Sequence, residues 1–419
     1  MKLSKYLIYK WIKNSLIIYN TFNKSILLLN KKNGDLFVNK IIKEDFNVPK
    51  DIINFLIREG IIYEDDNFSE IDILKSIDYE NRNKIEELYL TIALTTKCNF
   101  SCIYCYEKEI KKEDITKNVI DKIIDYIYDN MKDIQKLKIT WYGGEPLLKI
   151  QEMEYFFHKI IPLLNEKKII YESSIITNGY LLNKKIIEKL KEIKVTHLQI
   201  TVDGIKELHD VRRFLANKKR TFDIIMKNIK YAKREFNIAL RINLDKKIYE
   251  NFDEFLNYLE EKNLKKYISI YISFAKDYFG NNIHYFNKLE YYRVESEIIE
   301  KIINRDFKYA YDILSGSGVC PAPYKKNLII SSDGNIYKCP LHIGNINEAI
   351  GEIKSFKNYE NTKWYFYDPF KDEECVNCEV FPLCITGCPD KKMKESERNC
   401  PSIKYNIKKY LEIIYKGMV

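Results

Sequence analysis

The chain has 419 residues, 46% of them hydrophobic and 31% charged, which is enough for two or three domains, each with its own core. The net charge of +9 is spread thinly, with both signs mixed throughout, so neither a nucleic-acid footprint nor a nucleic-acid partner is expected. No apolar run reaches 18 residues, and the opening MKLSKYLIYKWIKNS lacks the apolar stretch and small-residue cleavage site of a signal peptide; no membrane span or membrane partner is expected, and the expected location is cytoplasmic.

Residues 1–80 read as a small α+β module. NSLIIYNTFNKSILLLN alternates around a polar turn and predicts a β-hairpin. GDLFVNKIIKE and PKDIINFLIREG predict two short helices, the second bounded by Pro49 and Gly60. IIYED follows as a short strand, and the polar DDNFSEIDILKSIDYENRNK reads as a linker.

From about residue 88 strands and helices alternate. ELYLTIALT, KLKITWYG, YESSIITN, VTHLQITVD, NIALRINL and YISIYISF are the predicted strands, with amphipathic stretches such as NVIDKIIDYIYDNM and NKKIIEKLKEIK between them. Six β-α repeats predict a parallel sheet of the α/β class, curved or barrel-like over residues 88–310, with its chemistry at the C-terminal ends of the strands. From about 311 to 419 the pattern turns irregular, as in a domain where metal ligation replaces part of the core.

The ten cysteines are clumped, three between 98 and 105 and seven between 320 and 400. Scattered core thiols would not cluster so, and disulfides do not suit a reducing compartment; converging metal ligands account for the pattern. CNFSCIYC sets Cys98, Cys102 and Cys105 in one loop after the first strand. Three thiolates can hold three irons of a cubane cluster and leave the fourth open, which marks a reactive site. A zinc site short of one ligand, or buried thiols, are the alternatives at this point.

This loop resembles that of the radical S-adenosylmethionine (SAM) superfamily. The resemblance implies a partial (β/α)6 TIM-like barrel in which SAM chelates the open iron and is cleaved reductively to a 5′-deoxyadenosyl radical that abstracts a substrate hydrogen. Cys98, Cys102 and Cys105 would be the catalytic cluster ligands, with Tyr104 near the adenine. WYGGEP ends the second strand; Gly143 and Gly144 permit close backbone approach, and Glu145 would accept from the SAM ammonium. Asn178 in TNG, Thr201 and Asp203 in ITVDG, Arg213 in HDVRR and Arg241 in RINL complete the implied cofactor contacts. His209 is either structural or a participant in hydrogen transfer.

The later cysteines resemble the SPASM extension, which carries two auxiliary 4Fe–4S clusters, for three clusters in all. Carrying that ligation across, Cys375, Cys378, Cys384 and Cys400 would hold the distal cluster, and Cys320, Cys339 and Cys388 the nearer one. No cysteine lies between 106 and 319 to complete the nearer set, so its fourth iron would take another ligand or stay open to a substrate thiolate. A pair of zinc ribbons is the alternative.

Within the superfamily the chain resembles maturases of ribosomally made (RiPP) peptides, which form thioether or carbon–carbon cross-links. The partners implied are a precursor peptide with a leader and an external electron donor, flavodoxin or ferredoxin. The N-terminal module resembles their winged-helix-like recognition elements, which pair a leader with a strand edge; a plain structural cap is the other reading. The anaerobic sulfatase-maturing enzyme is the alternative function. Such enzymes begin close to the cysteine triplet and carry an acid where this chain has Pro340. A non-catalytic electron-transfer protein is a third class, against which the intact GGEP and TNG stand.

Overall fold

The computed structural model describes residues 1–275, 285–315, 319–357, 359–385, 387–395 and 398–418. Backbone contacts divide the chain into two units, one made of Met1–Arg82, Tyr311–Cys320 and Tyr367–Val419, the other of Asn83–Ala310 and Pro321–Phe366.

In the first unit, β1 (Lys2–Leu3) pairs with β5 (Ile62–Tyr63), and β2 (Leu7–Ile12), β3 (Ser15–Asn20) and β4 (Ile26–Asn30) form an antiparallel meander in the order β2-β3-β4. The expected hairpin is β3–β4; β2 escaped the pattern because YLIYKWI does not alternate cleanly. Leu16, Ile17, Ile18 and Tyr19 on the central β3 are all within 1% of complete burial. Helix α1 (Lys31–Asn39) is capped by the Asn30 side chain, which accepts from Asn33 N at 3.0 Å. Helix α2 (Lys50–Arg58) runs between Pro49 and Gly60 as expected. The stretch read as a linker is instead a helix, α3 (Glu70–Asn83). Its polar composition hides one buried stripe, Glu70, Leu74 and Asp78, and Arg82 closes on Asp78 at 2.7 Å and on Tyr367 O at 2.5 Å. Contacts to residues nearly 300 positions away supply what local propensity does not.

The second unit carries the six expected strands, β6 (Glu87–Thr95), β7 (Lys136–Gly143), β8 (Ile170–Thr177), β9 (Val195–Thr201), β10 (Asn237–Leu244) and β11 (Ile268–Phe274), all parallel and in sequential order. Between them run α4 (Lys117–Asn130), α5 (Ile150–Glu166), α6 (Lys184–Glu192), α7 (Lys206–Arg212), α8 (Phe222–Ala232), α9 (Lys246–Glu250) and α10 (Phe252–Glu261), followed by α11 (Lys288–Asn304). This is the partial TIM-like barrel. Each larger helix buries one stripe, such as Ile120, Ile123, Ile124 and Ile127 of α4, and Trp141 meets Phe156 edge-on at 5.3 Å. Strand β12 (Lys308–Tyr309) extends the sheet beyond β11. Beyond β6 it continues through β13 (Asn327–Ile330), parallel to β6, and then β14 (Asn335–Tyr337) and β15 (Gly351–Glu352), both antiparallel.

The C-terminal part of the first unit holds α12 (Glu373–Val376), α13 (Phe381–Cys384), α14 (Pro389–Glu395) and α15 (Ile403–Met418). It shares a core with the N-terminal module: Tyr6 and Leu74 are buried with Phe381 and Ile385. Tyr6 OH donates to Val376 O at 3.0 Å, Thr21 Oγ1 to Glu379 O, Tyr19 OH to Leu314 O at 3.1 Å, and Lys10 pairs with Glu412. The compact units therefore cut across the ranges 1–80, 88–310 and 311–419, because β13–β15 join the barrel sheet while the segment after Tyr367 packs on the N-terminal module. No helix among the described residues is long and apolar enough to cross a membrane.

Candidate active site

The loop Cys98–Cys105 leaves β6 at the C-terminal end of the sheet and is held there by the GGEP turn. Gly144 N donates to Thr95 O at 2.8 Å and Glu145 N to Lys97 O at 3.0 Å. A Cβ on Gly143, where φ is +119°, would meet Thr95 O at 2.2 Å, and one on Gly144 would meet Lys97 O at 2.3 Å. The two glycines thus let β7 close on the backbone that leads into the cysteines.

Cys98, Cys102 and Cys105 line one cavity of about 220 Å³ at this end of the barrel. Tyr104, Gly143, Gly144, Asn178, Thr201, Arg213 and Arg241 line it as well, all of them expected contacts. Burial pushes the thiol of Cys98 up to about 12 and that of Cys102 up to about 11, and raises Cys105 too, with the Arg213 guanidinium opposing the rise at all three. A single buried cation therefore faces all three sulfurs. Asn178 sits beside the loop, its Nδ2 donating to Asn99 Oδ1 at 2.8 Å and lying 3.8 Å from Cys98 Sγ.

Two further expected contacts, Glu145 and Asp203, hydrogen-bond within the protein. Glu145 is fully buried and does not line the cavity: its carboxylate accepts from Thr177 Oγ1 at 2.7 Å, Asn178 N at 2.8 Å and Leu147 N at 3.1 Å. It ties the GGEP turn to the TNG turn. Asp203, also fully buried, accepts from Tyr104 OH through Oδ2 and from Asn243 N through Oδ1 at 3.1 Å. Arg213 Nη1 and Asn243 Nδ2 donate to the same Tyr104 hydroxyl at 2.8 and 3.0 Å. The tyrosine between the last two cysteines is thereby pinned to the ends of β9 and β10.

His209 completes that arrangement. It is fully buried, and burial, then Arg213 and Arg212, lower its pKa, so the ring is neutral. Nδ1 accepts from Asp203 N at 3.2 Å, which leaves the proton on Nε2 for Thr221 Oγ1 at 3.1 Å; that hydroxyl donates to Arg213 O. The ring Asp203–His209–Thr221–Arg213–Tyr104 closes on itself, and His209 does not line the cavity. Its ring supports the Asp203 amide on one side and Thr221 on the other. His209→Phe should weaken SAM binding about tenfold and speed amide exchange at Asp203, because a buried donor loses its acceptor; His209→Asn should restore part of both. Unchanged SAM affinity and exchange in His209→Phe would place its function elsewhere.

The sequence reading missed Gln199, Asn243, Phe274, Ala275, Tyr106, Glu107, Tyr142 and Leu341, all of which line the cavity. The period of two along a strand could have found the first two, since Gln199 shares a face with Thr201, and Asn243 with Arg241. Arg241 donates to Asn243 Oδ1 at 3.2 Å and to Ser273 Oγ at 3.0 Å. Arg213 Nε and Gln199 Nε2 are buried with no hydrogen-bond partner among the described residues. Free donors beside three thiols suit a ligand that carries a carboxylate and a polar ribose and also reaches iron; SAM and a 4Fe–4S cluster fit these residues.

In the first unit a second set of thiols gathers. Burial pushes the Cys384 thiol up to about 12, with Cys400, Cys375 and Cys378 adding to the rise and the Gly387 amide opposing it. Lys392 Nζ lies 3.6 Å from Cys375 Sγ and Lys404 Nζ 3.7 Å from Cys400 Sγ. Four thiols with two ammonium groups beside them are a donor set suited to an anionic iron–sulfur cluster. Cys320 and Cys388 belong to this unit and Cys339 to the barrel unit.

Residues 92–261 match the family model of the radical SAM superfamily. A cysteine-type anaerobic sulfatase-maturating enzyme of Clostridium novyi is 29% identical over 74% of this chain and 88% of its own length. The radical SAM cyclopropyl synthase TigE of Paramaledivibacter caminithermalis is 25% identical over 88% of this chain and 82% of its own. Two solved structures share the fold. One is anSMEcpe with bound AdoMet and Kp18Cys peptide (TM-score 0.62, 19% identity, 79% of this chain and 98% of that one). The other is Streptococcus suis SuiB bound to S-adenosylmethionine (TM-score 0.54, 17% identity, 96% and 98%). A three-cysteine loop held at the mouth of a partial barrel, in a chain whose residues 92–261 match this family model and whose relatives are radical SAM enzymes, makes the protein a radical SAM enzyme related to those of the SPASM type.

Proposed function

We propose that the enzyme modifies a ribosomally made precursor peptide, forming a thioether or carbon–carbon cross-link, and that it carries SAM and three 4Fe–4S clusters and draws electrons from a flavodoxin or ferredoxin. The observation that carries the reading is the N-terminal module. Strand β4 pairs with β3 alone among the described residues, and Leu28 on it is 43% exposed. Beside this edge lies an apolar groove of about 280 Å³ lined by Leu29, Leu36, Phe37, Ile52 and Phe55. An edge strand next to an apolar groove suits an extended peptide that adds as a strand and seats alternate side chains. SuiB, structurally similar along nearly its whole length, has been solved bound to the precursor peptide SuiA.

When bound, the first cluster and SAM supply a radical able to abstract hydrogen. This chain's residues bind and orient: Cys98, Cys102 and Cys105 would hold the cluster, Arg213 and Gln199 offer SAM their free donors, and Asn243, Thr201 and Arg241 line the wall opposite the glycines. Phe274, Ala275 and Leu341 give the cavity an apolar border.

Phe55→Asp should weaken precursor binding by tenfold or more, because it puts a charge into the groove, and should leave SAM cleavage without peptide unchanged. Binding by fluorescence anisotropy with a labelled leader, set beside 5′-deoxyadenosine release, tests this. Equal affinity in variant and parent would reduce the module to a cap.

Sulfatase maturation is the second reading, favoured by the 29% identity to a sulfatase-maturating enzyme. Against it stands Pro340 after Cys339, where such enzymes carry an acid; the acid that lines the cavity here is Glu107. Mass spectrometry of the treated peptide separates the two. A cross-link removes hydrogen and keeps sulfur, whereas formylglycine formation from cysteine loses the sulfur.

A further inference from the structure

The barrel unit holds a second cavity, of about 480 Å³, between the C-terminal half of α4 and the turn after β15. It lies by the N-terminal ends of the strands, since Asn130 precedes β7 and Lys326 precedes β13, which runs parallel to β6. The cysteine loop leaves the opposite end of β6, so the two cavities are separated by the length of a nine-residue strand, roughly 30 Å.

Five lysines line this second cavity, together with Asp125 and Asp129. Three of them are paired: Lys122 with Asp125 at 3.2 Å, Lys325 with Glu360 at 2.6 Å and Lys354 with Glu352 at 2.5 Å. Lys326 and Lys357 have no carboxylate within ion-pair distance among the described residues. Lys326 is 9% exposed, and among the described residues its ammonium meets one acceptor, Asn130 Oδ1, although it has three protons to donate. Burial, with Lys325 adding to it and Asp133 opposing it, lowers its pKa. A buried ammonium with no counter-ion is costly, and natural structures resolve that cost with a paired anion.

We propose that this cavity binds a small phosphate-bearing molecule whose dianion is held by Lys326 and Lys357, with Asn130 fixing the Lys326 ammonium. Two unpaired point charges match a phosphate dianion. The volume lies in the range of small-molecule sites and exceeds what phosphate alone fills. Tyr126 and Phe356, whose ring centres are 6.4 Å apart, supply an apolar wall for the rest of the ligand. Because the cavity lies at the far end of the barrel from the cysteine loop, its ligand is neither SAM nor the peptide undergoing reaction.

The test is calorimetric titration of the full-length enzyme, with SAM present at saturation, using inorganic phosphate in one arm and GMP in the other. Binding in either arm that weakens about tenfold in both Lys326→Met and Lys357→Met, with SAM affinity unchanged, is the expected result. Tighter binding of GMP than of phosphate identifies an ester as the source, and the reverse identifies free phosphate. Lys357 is exposed, so its replacement does not endanger folding. Lys184→Met, a change at another exposed lysine, is the control and should alter nothing. Absence of binding in both arms, or affinities that are the same in parent, Lys326→Met and Lys357→Met, overturns the assignment.

Discussion

Replacing Cys98, Cys102 and Cys105 together with alanine should give a folded protein with about four fewer irons than its parent and no detectable SAM cleavage, a loss of at least a thousandfold. The fold survives because the loop is anchored by its backbone and by Tyr104. Gly144 N and Glu145 N hold the chain entering it, and Asp203, Asn243 and Arg213 hold the tyrosine. The chemistry does not survive, because no other thiol lines that cavity. Iron and sulfide content, 5′-deoxyadenosine release and the thermal transition, measured side by side, check the result. Parent protein should hold about twelve irons if all three clusters form. A parent content near four irons with bound zinc would remove the two auxiliary clusters from the proposal.

Deleting residues 1–82 should cost more than peptide recognition. The module shares a core with the thiol-bearing C-terminal segment, through Tyr6 and Leu74 against Phe381 and Ile385, and Phe381 begins the short helix that ends at Cys384. Stripping away that cover exposes large apolar side chains, each worth about 1.5–3 kcal/mol when buried. It also removes the hydroxyls of Tyr6 and Thr21 from Val376 O and Glu379 O, on either side of Cys378. The truncated enzyme should therefore lose about four irons along with precursor binding. A truncated enzyme that keeps its full iron content would show that the C-terminal segment folds without the module. This is why a point change in the groove, such as Phe55→Asp, is the cleaner probe of recognition.

Much of the catalytic unit was legible in the sequence. All six barrel strands follow from alternation and from apolar runs bounded by turns, because a strand's burial pattern is written locally, every second residue. The cysteine spacing was equally local: three thiols within eight residues must share one loop. That GGEP, TNG and ITVDG end their strands placed them at one rim, since parallel strands share a direction.

What escaped depends on residues distant in sequence. The polar stretch 65–84 carries a helix only because Leu74 meets the core of Tyr6 and Phe381 and Arg82 reaches Tyr367. That Thr177, Asn178 and Leu147 already donate to the Glu145 carboxylate is likewise invisible in the sequence. For His209, which the sequence leaves open between a structural part and hydrogen transfer, the structure shows both nitrogens engaged, by Asp203 and Thr221. By itself the sequence determined the chemistry, an iron–sulfur loop at the mouth of a parallel barrel, because ligand spacing and strand period are short-range properties of the chain. Only the tertiary structure decided which polar groups are already spent on one another and which, like Arg213 Nε and Gln199 Nε2, remain free for a ligand. Hydrogen-bond partners are allotted by packing in three dimensions, and no local pattern encodes that allotment.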